Sequence, residues 1–185
     1  GKARLFGCHA LGLSNKCSKW GEMRVLAVDP GLTRCGIAVA EGVPGRTPTL
    51  IAFETFATPV DNEHALPERL ALLDMKFQEW LDRYQPQSVA IERVFSQHNV
   101  STAMTTAQVS ALVMVAAHRR NLLVTQHTPS EVKAAITGSG RADKKQVGSM
   151  VAKVLGLKSI PRPADSADAI ALAICHIWKN SLVSK

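Results

Sequence analysis

The chain has 185 residues, 46 % of them hydrophobic, with 22 Lys and Arg against 15 Asp and Glu and a formal charge of +7 at pH 7. That length and apolar content support one domain with a real core and exclude a disordered chain. No uninterrupted apolar run reaches the ~20 residues that cross a bilayer, and the basic balance favours an acidic partner such as nucleic acid.

Residues 1–22 contribute +3 of the net +7, through Lys2, Arg4, Lys16 and Lys19 against Glu22. They show no periodicity and lack the apolar stretch and small-residue site of a signal peptide. We read them as an upstream extension or an appended leader, poorly ordered and outside the fold, with Met23 a candidate natural start. One domain is expected over residues 23–180, with a short C-terminal tail at 181–185. The four cysteines, Cys8, Cys17, Cys35 and Cys175, form no CxxC pair. Neither a disulfide framework nor a zinc site is expected, and reduced thiols of a cytoplasmic protein fit.

Val25 to Val28 is a short β-branched run that suits a strand buried on both faces. It ends in Asp29 and turns at Pro30-Gly31, because proline removes a donor and glycine permits unusual backbone angles. Thr33, Arg34 and Gly36 lead into a second run, Ile37–Ala40, expected to pair with the first. A turn follows over Glu41–Pro48, then a third strand at Thr49–Thr58. Together these make an antiparallel meander.

His64 to Tyr84 reads as an amphipathic helix with Leu66, Leu70, Leu73, Phe77 and Trp80 inward. Arg69, Asp74, Gln78 and Asp82 are expected to face solvent. Ser88–Ile91 is a fourth strand, again ending in an acid, Glu92. Ser101–Arg120 is a helix apolar around most of its circumference; burial in a monomer and a homodimer interface both fit that pattern. A fifth strand spans Leu122–Thr125. Helices follow at Pro129–Ile136, capped by Thr128 with Glu131 three residues on, at Lys144–Leu155, and at Asp165–Trp178. Three strands of a meander followed by alternating strands and helices predict an α/β fold. It is a mixed five-stranded sheet with helices on both faces.

Four acids stand out. Asp29 and Glu92 both end buried strands; on neighbouring parallel strands they would lie side by side. Asp165 and Asp168 share one face at the start of a helix, where the macrodipole also favours acids. Each alone has a plain structural reading: a turn acid, a helix cap or a dipole partner. Together they would repel, by roughly 4 kcal/mol per pair at 4 Å and an effective dielectric of 20. Such a cluster calls for a cation. An all-oxygen set suits Mg²⁺, or Mn²⁺ in its place, rather than zinc. Two such ions sharing a carboxylate, Asp29 being the central one, suit phosphodiester cleavage.

The segments DPGLTRCG, AIERVF, TPSEVKAAITGSGRADKKQV and ADSADAIALAICH, in that order, resemble the RuvC-type Holliday-junction resolvases of the RNase H-like superfamily. The resemblance covers essentially all of Met23 to Trp178. DxGxxxxG alone is shared with sugar kinases and actin-like ATPases; AIERVF with ADSADA is more specific. The resemblance implies that Asp29, Glu92, Asp165 and Asp168 are catalytic metal ligands, with Mg²⁺ bound, two ions per site. It implies a homodimer that nicks four-way junction DNA symmetrically and leaves 5′-phosphate and 3′-hydroxyl ends. It also implies partnership with a RuvA–RuvB branch-migration complex. Phe95 would stack on bases near the junction centre, contributing ~1–3 kcal/mol per base. Lys133 and Lys144 would contact DNA phosphates, with Arg141 and Lys145 as further contacts. Arg34 and Arg93 lie near the acids and could touch the scissile phosphate or only pair with a carboxylate. His98, His118, His127 and His176 have no clustered spacing; none is proposed as a ligand, and His176 reads as structural. Two other readings keep the fold in view: a YqgF-like nuclease acting on RNA, and a non-catalytic junction-binding module.

Overall fold

A computed structural model describes residues 22–60, 65–93 and 100–180. The expected leader, the C-terminal tail and Phe95 lie outside the described residues. The elements are β1 (Met23–Asp29), β2 (Arg34–Gly42), β3 (Thr49–Ala57), α1 (Leu66–Tyr84), β4 (Ser88–Glu92), α2 (Val100–His118), β5 (Leu123–His127), α3 (Pro129–Thr137), α4 (Lys144–Val154) and α5 (Ala164–Lys179).

The sheet order is β3-β2-β1-β4-β5. β1 pairs antiparallel with β2, and β2 with β3; β4 lies parallel to β1, and β5 to β4. β1 is therefore central, which explains its unbroken apolar run: both faces are covered. The ladder matches Val28 with Ile91, so Asp29 and Glu92 leave the sheet side by side at the same end. At β3 the register slips between Val39 and Ala40, leaving Ile51 as an unpaired bulge on an edge strand.

Side-chain alternation splits the core in two. One face, with Val25, Ala27, Ala38, Ala40 and Ala90, packs under α3, α4 and α5. The other, with Leu26, Val28, Ile37, Val39, Val89 and Ile91, packs under α1 and α2. The alanine-rich face lets α5 approach the sheet closely, and every residue of α5 from Ala169 to Ile177 is buried.

Several boundaries differ from expectation. α2 stops at His118, and the chain turns through Asn121 at a positive φ of 57° before β5. β5 runs on to His127, because that histidine is buried opposite Glu92. The exposed side expected of α1 is partly engaged. Arg120 holds α1 to the end of α2, with Nη2 2.7 Å from an Asp82 oxygen and Nη1 2.6 Å from the Gln78 oxygen. α2 is 19 residues long and apolar enough, by length and composition alone, to cross a membrane. Here it packs on α1 and β5, and Thr105, Thr106 and Ser110 return hydrogen bonds to its own carbonyls. Met104 and Val115 on it remain uncovered, at 62 % and 48 % exposure.

Candidate active site

The end of β1 is held by its own hairpin. Thr58 donates from Oγ1 to the Leu32 carbonyl at 2.6 Å, and its amide donates to the Thr33 carbonyl at 3.1 Å. Arg69 of α1 donates to the Thr58 and Thr33 hydroxyls at 2.9 and 3.0 Å. An arginine expected in solvent thus clamps the turn that follows Asp29. Gly36, the residue opposite Asp29 in the ladder, is needed for a reason other than turning. A Cβ there would lie 2.1 Å from the Asp165 carbonyl oxygen. The hairpin and the first turn of α5 are in backbone contact, reinforced by Thr55 Oγ1 and Ser166 Oγ at 2.7 Å.

That contact delivers Asp165 and Asp168 to the strand ends. α5 begins after Pro163, with Asp165 inside its first turn, so Asp165 is not the helix cap. Asp29 is mostly buried, and burial pushes its carboxyl up to about 7. The charges of Glu92, Asp168 and Asp165 add to that rise and Lys144 opposes it. Burial likewise raises Glu92, with Asp168 adding and Lys144 and Lys133 opposing. All four acids therefore share one electrostatic neighbourhood, with Lys144 and Lys133 at its edge.

Two of the four carboxylates carry a protein cation. Arg34 Nε lies 2.7 Å from Asp165 Oδ2, and Lys144 Nζ lies 2.9 Å from Asp168 Oδ2. Lys144 is raised chiefly by its bond to Asp168. Asp143 caps its helix, accepting from the Gln146 amide at 2.8 Å, and so fixes where Lys144 emerges. A cleft of about 170 Å³ between α3, α4 and α5 is lined by Glu92, Lys133, Lys144 and Asp168 among others. A neighbouring pocket of about 280 Å³ joins Lys144 and Asp168 to Ile160, Arg162 and Pro163.

The remaining candidates separate. Arg141 lines a different cleft of about 450 Å³, with Thr137 and Ser139. Lys145 is exposed on α4. The Arg141 amide donates to Ser139 Oγ at 3.3 Å, and its cleft includes none of the four acids. The Arg93 amide donates to the His127 carbonyl at 2.8 Å.

The donor set fits a hard divalent cation. The candidate donors are all carboxylates, without nitrogen or sulfur, and an Asp29 pushed up by burial and then by the charges of Glu92, Asp168 and Asp165 is the electrostatic state a bound cation relieves. Among the described residues no three acidic, histidine or cysteine side chains stand close enough together to hold a metal ion as they are placed; Arg34 and Lys144 engage two of the acids instead. Carboxylates at the mouth of a parallel strand pair, rimmed by cations, can bind metal and a phosphate chain together.

Sequence reasoning missed one other arrangement. His127 and His176 form a buried pair, Nε2 to Nδ1 at 3.0 Å, and His176 Nε2 meets Ser88 Oγ at 3.1 Å. Residues 49 apart in sequence give no spacing signal. Arg34, expected near the acids, does pair with a carboxylate, and the structure supplies the partner: Asp165, 131 residues on.

The family model described as crossover junction endodeoxyribonuclease RuvC matches residues 25–176. A relative of that name from Thermobifida fusca is 60 % identical over 159 residues, covering 86 % of this chain and 86 % of the relative. One from Streptomyces avermitilis is 60 % identical over 157 residues, covering 85 % and 88 %. Among solved structures, T. thermophilus RuvC in complex with Holliday junction substrate superposes with a TM-score of 0.80 at 32 % identity. That match covers 85 % of this chain and 94 % of the neighbour.

Proposed function

The chain belongs to the RuvC family of crossover junction endodeoxyribonucleases, and on that premise we propose that it resolves four-way DNA junctions by paired, symmetric hydrolytic nicks. The single observation that carries this reading is the gathering of Asp29, Glu92, Asp165 and Asp168 at one end of the sheet, with Lys144 at the edge. The solved neighbour, T. thermophilus RuvC, is described in complex with Holliday junction substrate, which supports the choice of DNA.

In this reading Asp29, Glu92, Asp165 and Asp168 hold two Mg²⁺ ions, with Mn²⁺ a working substitute. Bound there, the ions supply Lewis-acid stabilisation of the charge that builds on the scissile phosphate. Asp29, between the neighbouring strand and α5, would be the central carboxylate that helps hold both. Water adds to phosphorus and the bond to the 3′ oxygen breaks, leaving a 5′-phosphate and a 3′-hydroxyl. Lys144 and Lys133 bring positive charge to the phosphates beside the acids, and Arg141 and Lys145 extend that track further out. Phe95, outside the described residues, is proposed to stack on bases at the junction centre.

A homodimer supplies the second cut, and the uncovered apolar side of α2, with Met104 and Val115, supports that surface as the dimer contact. A RuvA–RuvB branch-migration complex is the further partner, and the cytoplasm the expected location.

The test is cleavage of a synthetic four-way junction with and without Mg²⁺, with nick positions mapped and products offered to a ligase. Metal-dependent nicks at symmetric positions, sealable by ligase, are expected. No metal-dependent cleavage, or equal cleavage of linear duplex, rejects the reading.

A further inference from the structure

Arg34 is the first residue of β2, at the rim of the acid cluster, and it holds Asp165 as Lys144 holds Asp168, one cation to each aspartate. The two contacts differ in what they leave over. Lys144 spends its single charged head on Asp168. Arg34 touches Asp165 through Nε alone, at 2.7 Å. Among the described residues its two terminal nitrogens have no partner, and the side chain is 51 % exposed.

An arginine that serves only to neutralise a carboxylate gains most from two parallel bonds, one from each of two nitrogens, to both oxygens. A contact through Nε alone forgoes that and keeps the outer fork available. The backbone beneath is rigid. Arg69 and Thr58 pin Thr33, the preceding residue, and Cys35, the next, is fully buried. A fork held on such a base loses little freedom when it binds an anion.

We propose that Arg34 is a phosphate clamp: it braces on Asp165 through Nε and presents its terminal nitrogens to a DNA phosphate flanking the scissile one. Arg34 then meets the strand beside Asp165, while Lys133 and Lys144 supply positive charge beside Glu92 and Asp168. The bond to Asp165 also ties DNA seating to the orientation of a proposed ligand, so Arg34 is a positioning residue as well as a contact.

The proposal rests on the junction-cleaving reading above, and the experiment separates the two. Junction binding is measured in chelator, where nothing is cut, for the wild-type chain, Arg34→Gln and Arg34→Lys, across a salt series. Junctions carrying single neutral methylphosphonates around the cut position are included. Arg34→Gln is expected to bind about tenfold more weakly. Its plot of log affinity against log salt becomes shallower by about 0.9, the share of one phosphate. One methylphosphonate position that weakens the wild type leaves Arg34→Gln unaffected. Arg34→Lys recovers the salt slope but not the full affinity, because an ammonium cannot both brace and fork. Wild-type affinity and slope in Arg34→Gln overturn the proposal. So does a loss of affinity with an unchanged slope and undiminished sensitivity to every methylphosphonate, which reduces Arg34 to a tether for Asp165. A wild type that binds junction no better than duplex overturns the underlying reading, and the clamp with it.

Discussion

Gly36→Ala is the most direct probe of how the fold sets the acids. The added Cβ would lie 2.1 Å from the Asp165 carbonyl oxygen and 2.6 Å from its carbon. Ordinary non-bonded carbon contacts lie at about 3.5–4.0 Å, so β2 and α5 must part by about 1 Å. Both clashing atoms are backbone, and no side-chain rotation can relieve them. The displacement therefore falls on the first turn of α5, which carries Asp165 and, one turn on, Asp168. Overpacking of this kind costs about 1–3 kcal/mol, which lowers Tm by about 2–12 °C for a domain of this size. Misplacing reacting groups by about 1 Å costs about 100-fold in rate. The assay is kcat on a four-way junction at saturating Mg²⁺, beside Tm and junction affinity in chelator. The expected result is a loss of about two orders of magnitude in kcat, a modest fall in Tm and nearly unchanged affinity. Wild-type kcat in a variant with a lowered Tm would falsify the argument that this backbone contact positions the acids.

Asp29→Asn should abolish cleavage and keep junction binding. It should also raise Tm in chelator, because it removes a buried charge beside three other acids, while Mn²⁺ raises Tm only in the wild type; differential scanning fluorimetry reads both. His176 is held at about 4 by burial and by His127, below an ordinary 6.5. Its contribution to stability is full above pH 6.5 and drains away as pH falls towards 4, by about 3 kcal/mol in all. Urea titrations from pH 7 to pH 4 should show that slope, and His176→Asn should flatten it. Arg120→Ala removes the bonds to Gln78 and Asp82 and should cost about 1 kcal/mol, discounted for the exposed Asp82, with kcat unchanged because the pair lies on the α1–α2 face. Met104→Glu puts a charge on the uncovered flank of α2 and should yield monomers in analytical ultracentrifugation without lowering Tm in proportion. A variant that remains dimeric places the contact elsewhere.

How much of this could be read in advance follows from the range of each signal. Strands β1 and β4 were legible because each is a short apolar run closed by an acid, and burial on both faces leaves no other residues possible there. The i,i+3 aspartates were legible because helix geometry alone puts them together. The start of α3 was legible to the residue, since Thr128 and Glu131 form a local reciprocal cap; its end runs one residue past the expected Ile136, to Thr137. What escaped depends on distant partners. Arg69 reads as a solvent residue of an amphipathic helix, yet it closes a hairpin 36 residues upstream. Gly36 reads only as part of the lead into the second strand, yet its missing side chain makes room for α5. The histidine pair was invisible because each residue sits at the end of a different element. Among the described residues no buried side-chain nitrogen or oxygen lacks a partner, so that pair is fully satisfied within the fold and asks for no ligand.

The placement of the acids finally depends on the unequal faces of the sheet. Towards α1 and α2 the strands offer leucine, valine and isoleucine; towards α5 they offer Ala27, Ala38, Ala40 and Ala90. Small residues on that face draw α5 down until its own Ala169 stands 3.4 Å from where a Cβ of Gly36 would be. A larger residue at Ala38, two positions along the same strand, would lift the helix even with Gly36 intact. The distance between the strand-end acids and the helix acids is thus set by core volume, some way from any carboxylate. A chain with the four acids intact but a bulkier inner face would keep its motifs and lose its site.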